Sequence, residues 1–248
     1  MNWLRLVRAE LRKLTSTKMP WAFFTVLVAV SATTASAVVW GTDMDGSKAF
    51  ISTAVDQQSL MAFAANAFMI AGLFGAIAVA REYGHGTVVP TFLAEPRRSR
   101  AVSAQLTAVL FGGGMLGVVG AGLTALAVAA ALPTTEYTFM ISAGSVTRLL
   151  AASAFAGAAG AVLGAGIGAV VRNTGGAVAG AVLVLVIAPP LIVQLSTDAS
   201  SWVPSTLTNV LSGIGDEVGV PGALFALAAW AIVPALIGLL AVERRDVI

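Results

Sequence analysis

Six stretches of this chain, residues 19–42, 57–80, 101–135, 149–171, 173–197 and 218–242, contain no Asp, Glu, Lys or Arg. Each is long enough as a helix to cross a hydrocarbon core of about 30 Å, which takes roughly 20 residues. One ionised side chain at the centre of such a span costs about 2.5–3.5 kcal/mol on insertion scales, so the sparse charges mark the loops. The chain is 58% hydrophobic and 10% charged. Soluble domains carry about 25% charged residues, so too little polar surface remains for a water-soluble globule. The pattern predicts an all-α membrane protein with spans at roughly 20–41, 58–80, 101–131, 148–171, 174–195 and 220–242. The 101–135 block exceeds one crossing and is expected to tilt, or to continue as helix beyond the bilayer.

Alternating the loops between two sides puts Arg5, Arg8, Arg12, Lys13, Lys18, Arg81, Arg97, Arg98, Arg100, Arg172, Arg244 and Arg245 together. Only Lys48 and Arg148 fall on the other side, with Asp43, Asp45, Asp56, Glu136, Asp198, Asp216 and Glu217. This asymmetry predicts that both termini are cytoplasmic. The net charge of +2 and the pI near 9.4 are then a matter of topology, and no nucleic-acid partner is expected. A cleaved signal peptide ending at Ala35-Ser36-Ala37 is the rival reading of the N-terminus. Against it, the apolar run is long enough to span, and cleavage would break the charge alternation. Scarce Lys beside abundant Ala, Gly and Val fits a GC-rich bacterial genome, hence a multi-pass protein of the bacterial plasma membrane.

Residues 1–19 precede the first span, and 2–17 show helical periodicity. Trp3, Leu4, Val7, Leu11 and Leu14 fall on one face and Arg5, Arg8 and Arg12 on the other. Such an amphipathic helix could lie in the membrane interface, its arginines near anionic headgroups, or dock on a cytoplasmic partner. Residues 20–248 form the six-span domain. Ala156, Gly160, Gly164 and Gly168 recur every four residues, as do Gly113/Gly117 and Gly176/Gly180, the spacing that lets helix backbones approach closely in lipid. That packing could lie within one chain or between two. Pro189-Pro190 and Pro234 imply kinks. The outer loop 196–220, with Trp202, Pro204, Leu207, Val210 and Leu211, reads as an interfacial or re-entrant element.

Little in the chain can do covalent chemistry. His85 is the only histidine; Ser99 and Ser103 lie near it in no nucleophile motif. Without cysteine, and with scattered carboxylates, no zinc site is expected. The lysines Lys13, Lys18 and Lys48 lack the preceding glycine of a P-loop, so the chain cannot hydrolyse ATP by that route. The span interiors offer only Asn66, Gln105, Gln194 and hydroxyls, whereas ion-coupled transporters place ionisable groups at mid-membrane. Energy for any work is expected from a partner.

The segment 81–100, REYGHGTVVPTFLAEPRRSR, is the one compact polar element between spans. A Glu-Tyr ends span two; Gly-x-Gly-Thr, a short apolar stretch and Pro-Arg-Arg-Ser-Arg lead into span three. With Ala9-Glu10-Leu11-x-Lys13-Leu14 before Pro20-Trp21 and six spans, this layout resembles the type-two ABC exporter permease family, membrane subunits of bacterial ATP-binding-cassette transporters. The resemblance covers essentially the whole chain. It implies a coupling helix in 81–100 that docks on a separate ATPase subunit, with Glu82, Tyr83, Gly84, His85, Gly86 and Thr87 at its start and Arg97, Arg98 and Arg100 at its exit. It further implies an interface helix carrying Trp3, Arg5, Arg8, Leu11 and Arg12, and two permeases working with two ATPase subunits. Tight packing through Gly160, Gly164 and Gly168 would then have a dimer partner available. Many relatives carry an arginine where this chain has Gly84, so no ion pair is assigned there.

The residues agree with that reading independently. Glycines at 84 and 86 permit a sharp exit from span two. Pro90 and Pro96 stiffen the chain beyond them, Pro96 ending the helical piece. The arginines can meet lipid phosphates or acidic groups of a partner. The expected function is a permease forming the export pathway, with no cofactor of its own, ATP and Mg being held by the partner ATPase. The alternatives are a polytopic anchor or sensor subunit and an ion-coupled transporter.

Overall fold

A computed structural model describes residues 2–65, 67–95, 97–216 and 218–244. Asn66, Pro96, Glu217 and Arg245, on which the sequence reading also draws, lie outside the described residues. Among the described residues there are twelve α-helices, in order: α1 (Trp3–Thr15), α2 (Met19–Trp40), α3 (Ala54–Ala65), α4 (Ala67–Gly84), α5 (Val88–Ala94), α6 (Arg98–Ala131), α7 (Ala143–Val171), α8 (Thr174–Val182), α9 (Ala188–Leu195), α10 (Thr197–Ser200), α11 (Pro204–Ser212) and α12 (Gly219–Arg244). A π-helical turn, Leu183–Ile187, joins α8 to α9. Six helical runs are long and apolar enough to cross a membrane: Met19–Trp40, Ala54–Gly84, Arg98–Thr134, Ala143–Val171, Thr174–Leu195 and Gly219–Arg244. Each contains a predicted span or overlaps nearly all of it, and the long third block is one helix that continues past a single crossing.

Helix α7 is the axis of the bundle, because its small residues let three neighbours reach its backbone. A Cβ at Gly160 would overlap the Phe68 carbonyl of α4, one at Gly164 the Gly72 carbonyl, and one at Gly168 would lie 2.7 Å from the Ala76 oxygen. A second face of α7 meets α6: Gly157 opposes Gly113, and Gly117 opposes the Ser153 carbonyl. The third carries Gly166 against Pro234 of α12. The glycine repeat therefore packs α7 against α4 of its own chain. Of the two readings the spacing leaves open, packing within one chain or between two, these contacts are within the chain, and the carbonyl oxygens leave no room for another helix on that face.

The periphery is looser. Five of the 22 residues of the first span and three of the 22 of the fifth are buried, against 14 of the 29 in α7. The first span holds to α6 partly through a buried hydroxyl pair, Ser31 Oγ and Thr124 Oγ1, 3.2 Å apart. Pro234 sits inside a continuous α12, whereas Pro189-Pro190 come directly after the π-helical turn of span five. In the loop 196–220, α11 turns Leu207, Val210 and Leu211 into the core. Trp202 stays half exposed, its carbonyl accepting from Trp230 Nε1 at 3.1 Å.

Lys48 and Arg148 stand at one end of the bundle, and both are consumed as helix caps. Lys48 Nζ donates to the Val38 and Val39 carbonyls that end α2 (3.0 and 2.6 Å). Arg148 donates to Val210 and Leu211 at the end of α11 (3.1 and 2.9 Å). Each places a cation on the negative end of a helix dipole. Gln57, fully buried, staples two loops at this acidic end: its amide donates to Ile51 and Thr138 carbonyls and accepts from the Met140 N–H.

Candidate functional site

The opposite, basic end gathers α1, the end of α4, α5, the start of α6 and the end of α12. Helix α1 starts at an Asn2 cap and buries Leu6, Val7 and Glu10, with Leu6, Val7 and Leu11 against Ala104 of α6. Arg5, Arg8 and Arg12 face outward, as the periodicity predicts. The apolar face differs in detail: Leu4 and Trp3 are exposed, and Leu6 takes the place expected for Leu4. The pairing that decides this rotation is polar. Glu10 is turned inward, where its carboxylate accepts from Lys13 Nζ at 2.6 Å.

Lys13 is the joint of the site. Its ammonium also reaches Glu82 Oε1 on the last turn of α4 (3.3 Å) and Thr91 Oγ1 on α5 (3.1 Å). One side chain thus ties three helices. Burial, and then the neighbouring Glu82 charge, push the Glu10 carboxyl above its ordinary value despite the bond to Lys13. Burial opposes the charge on Lys13, but the hydrogen bond to Glu10 and the charges of Glu82 and Glu10 outweigh it and hold the ammonium above the ordinary lysine value. A cleft of about 350 Å³ opens beside this joint, lined by Lys13, Ser16, Thr17, Arg81, Glu82, His85 and Thr87.

Helix α4 continues through Glu82, Tyr83 and Gly84. Gly86 makes the turn with φ +68°, a left-handed angle that glycine adopts without a Cβ penalty. Helix α5 comes next, with Pro90 in its first turn, where no helical N–H is needed, and ends at Ala94. Buried Glu95 then meets Arg100 at 3.6 Å. Arg98 lies over the Phe92 ring (5.8 Å) and donates to the Val242 carbonyl (3.5 Å).

Arg172 completes the frame. It ends α7 at φ 55°, a conformation left-handed caps usually give to Gly or Asn. It is held there by Nη2 donating to the Ala241 carbonyl (3.0 Å) and by the Tyr83 ring, 5.3 Å from its guanidinium. Arg98 and Arg172 thus both cap the C-terminal end of α12.

The predicted docking residues divide accordingly. Glu82, Tyr83, Arg98 and Arg100 are occupied inside the chain, and only Gly84, His85, Gly86, Thr87 and Arg97 are exposed. The outward face of α5 consists instead of Val89, Pro90 and Leu93, the last 79% exposed. Sequence reasoning sees this only as a short apolar stretch. It also leaves Glu10, Lys13 and Thr91 without a role; the three-residue spacing of Glu10 and Lys13 is the signal for their pair. No protein-family model matches this chain, and no curated protein sequence matches it.

Proposed function

We propose that this chain is the permease subunit of a bacterial ABC exporter. It resides in the plasma membrane with both termini and the basic end cytoplasmic, and α1 lies along the inner membrane surface. Two copies work with two ATPase subunits, which hold the ATP and Mg. The observation that carries this reading is the construction of α5. Its outer face is apolar and exposed, while Lys13 fastens its inner face to α1 and to the end of the second span. An element shaped in this way receives force on one side and delivers it to a span on the other. ATP-driven closure of the partner subunits would move α5, and with it α4, between inward- and outward-open states.

The test is co-expression with a Walker-type ATPase encoded beside it. Val89→Asp with Leu93→Asp should abolish co-purification and stimulation of ATP turnover while leaving the melting temperature of the permease unchanged. Retention of both by the double variant would refute the docking face.

A further inference from the structure

The start of α4, the π-helical turn of the fifth span and α11 line a partly open cavity of about 280 Å³ in the acidic-end half of the bundle. Its wall is apolar where Phe68, Met69, Leu185 and Pro189 meet, and polar where Thr208 and Asn209 of α11 face them. No charged residue lines it among the described residues.

Leu185 and Val186 lie on this wall, where two prolines interrupt the α-helical hydrogen bonding of span five. An α-helical carbonyl accepts from the N–H four residues on. For these two positions that residue is Pro189 and Pro190, and neither has an N–H. A π-type bond cannot replace it at Leu185, because the residue five positions on is Pro190. The N–H of Ala188 is given to Leu183 instead. On the facing wall, the Thr208 hydroxyl is spent on the Pro204 carbonyl at 2.7 Å. The Leu185 carbonyl is left without a donor from its own helix, a costly state at membrane depth. π-helical turns recur at functional sites.

We propose that this cavity binds an uncharged amphiphile whose head donates a hydrogen bond: an alcohol or an amide. The donor satisfies the Leu185 carbonyl, and the apolar body packs on Phe68 and Met69. A cationic or anionic head is rejected because the wall offers no countercharge. The volume, at the lower limit of about 300 Å³ for ligand pockets, suits a medium-chain molecule rather than a whole phospholipid. The site belongs to this chain alone and stands whether or not an ATPase drives it.

The test is photolabelling of the purified chain in detergent with a diazirine-bearing octanol. The same diazirine on octane and on octylammonium gives the comparison. The octanol probe should label lining residues, Phe68, Met69 or Leu185, at roughly two- to tenfold lower concentration than the octane probe, the margin one hydrogen bond supplies. Octylammonium should not label there. Pro189→Ala with Pro190→Ala returns the missing N–H groups and should shrink the alcohol preference below about twofold. Pro189→Ala alone restores the Leu185 donor and serves if the double variant does not fold. Equal labelling by octanol and octane, labelling confined to other residues, or a preference that survives the proline variants would overturn the proposal.

Discussion

The ammonium of Lys13 stands 3.3 Å from the carboxylate of Glu82, which is 69 residues away in sequence. That contact makes the first helix and the end of the second span one mechanical unit, with Glu10 and Thr91 as the other two anchors. Lys13→Met would leave Glu10 and Glu82 facing each other across a mostly buried gap. Breaking a fully buried pair costs about 3–5 kcal/mol; because the Lys13 side chain is 37% exposed, solvent screening reduces the expected loss to about 1–3 kcal/mol. Hydrogen exchange should accelerate over 88–94, and Lys13→Arg should retain most of the stability.

Glu10 gives the chain a signature in acid. Its carboxyl titrates above the ordinary glutamate value because of burial and of Glu82. A carboxyl raised in the folded state favours folding when protonated. Its contribution is therefore full below the unfolded value and is lost as pH rises through the folded one. Glu10→Gln keeps an acceptor for Lys13 and removes that titration. Melting temperatures measured across the mildly acidic range should slope downward with rising pH for the wild type, and less steeply for Glu10→Gln.

Gly164→Ala should be far more damaging than its single added methyl suggests. The new Cβ would overlap the Gly72 carbonyl oxygen, and backbone cannot step aside as a flexible side chain can. A cost of about 3 kcal/mol, read as lost folded yield in detergent, is expected. Gly114→Ala is the control: the nearest atom to its Cβ would be the Ala154 oxygen at 3.4 Å, an ordinary contact, and stability should change by less than about 1 kcal/mol.

At the acidic end, Gln57→Leu removes three hydrogen bonds at once and strands the Ile51 and Thr138 carbonyls and the Met140 N–H. The expected loss is about 2–4 kcal/mol. Limited proteolysis should show new cleavage within 135–142 before the bundle itself melts.

Charge placement makes the spans legible, because an ionised group at membrane depth is expensive enough to be excluded outright. Nothing so strict fixes which way a surface side chain turns. Glu82 and Tyr83 sit in the motif that suggests docking, yet they face Lys13 and Arg172, partners that lie far off in sequence. The Leu93 side chain shows the converse: an apolar residue in a polar segment reads as filler until the helix is built and found to point it outward. The rotation of α1 escapes periodicity because a buried Glu10, paired with Lys13, counts as polar in any hydropathy pattern. Small-residue spacing signals close packing but carries no label for the partner, so only the folded chain could assign it to α4 rather than to a second copy.

The backbone contacts along α7 bear on how this molecule can move. Where side chains interdigitate, helices can repack by rotamer changes; where Gly164 lies against a carbonyl, no rotamer exists to change. Sliding α7 along α4 would drive carbonyl oxygens into Cα atoms at every fourth residue. A movement of α4 therefore carries α6, α7 and α12 with it as one block, and the sparsely buried first and fifth spans flank that block.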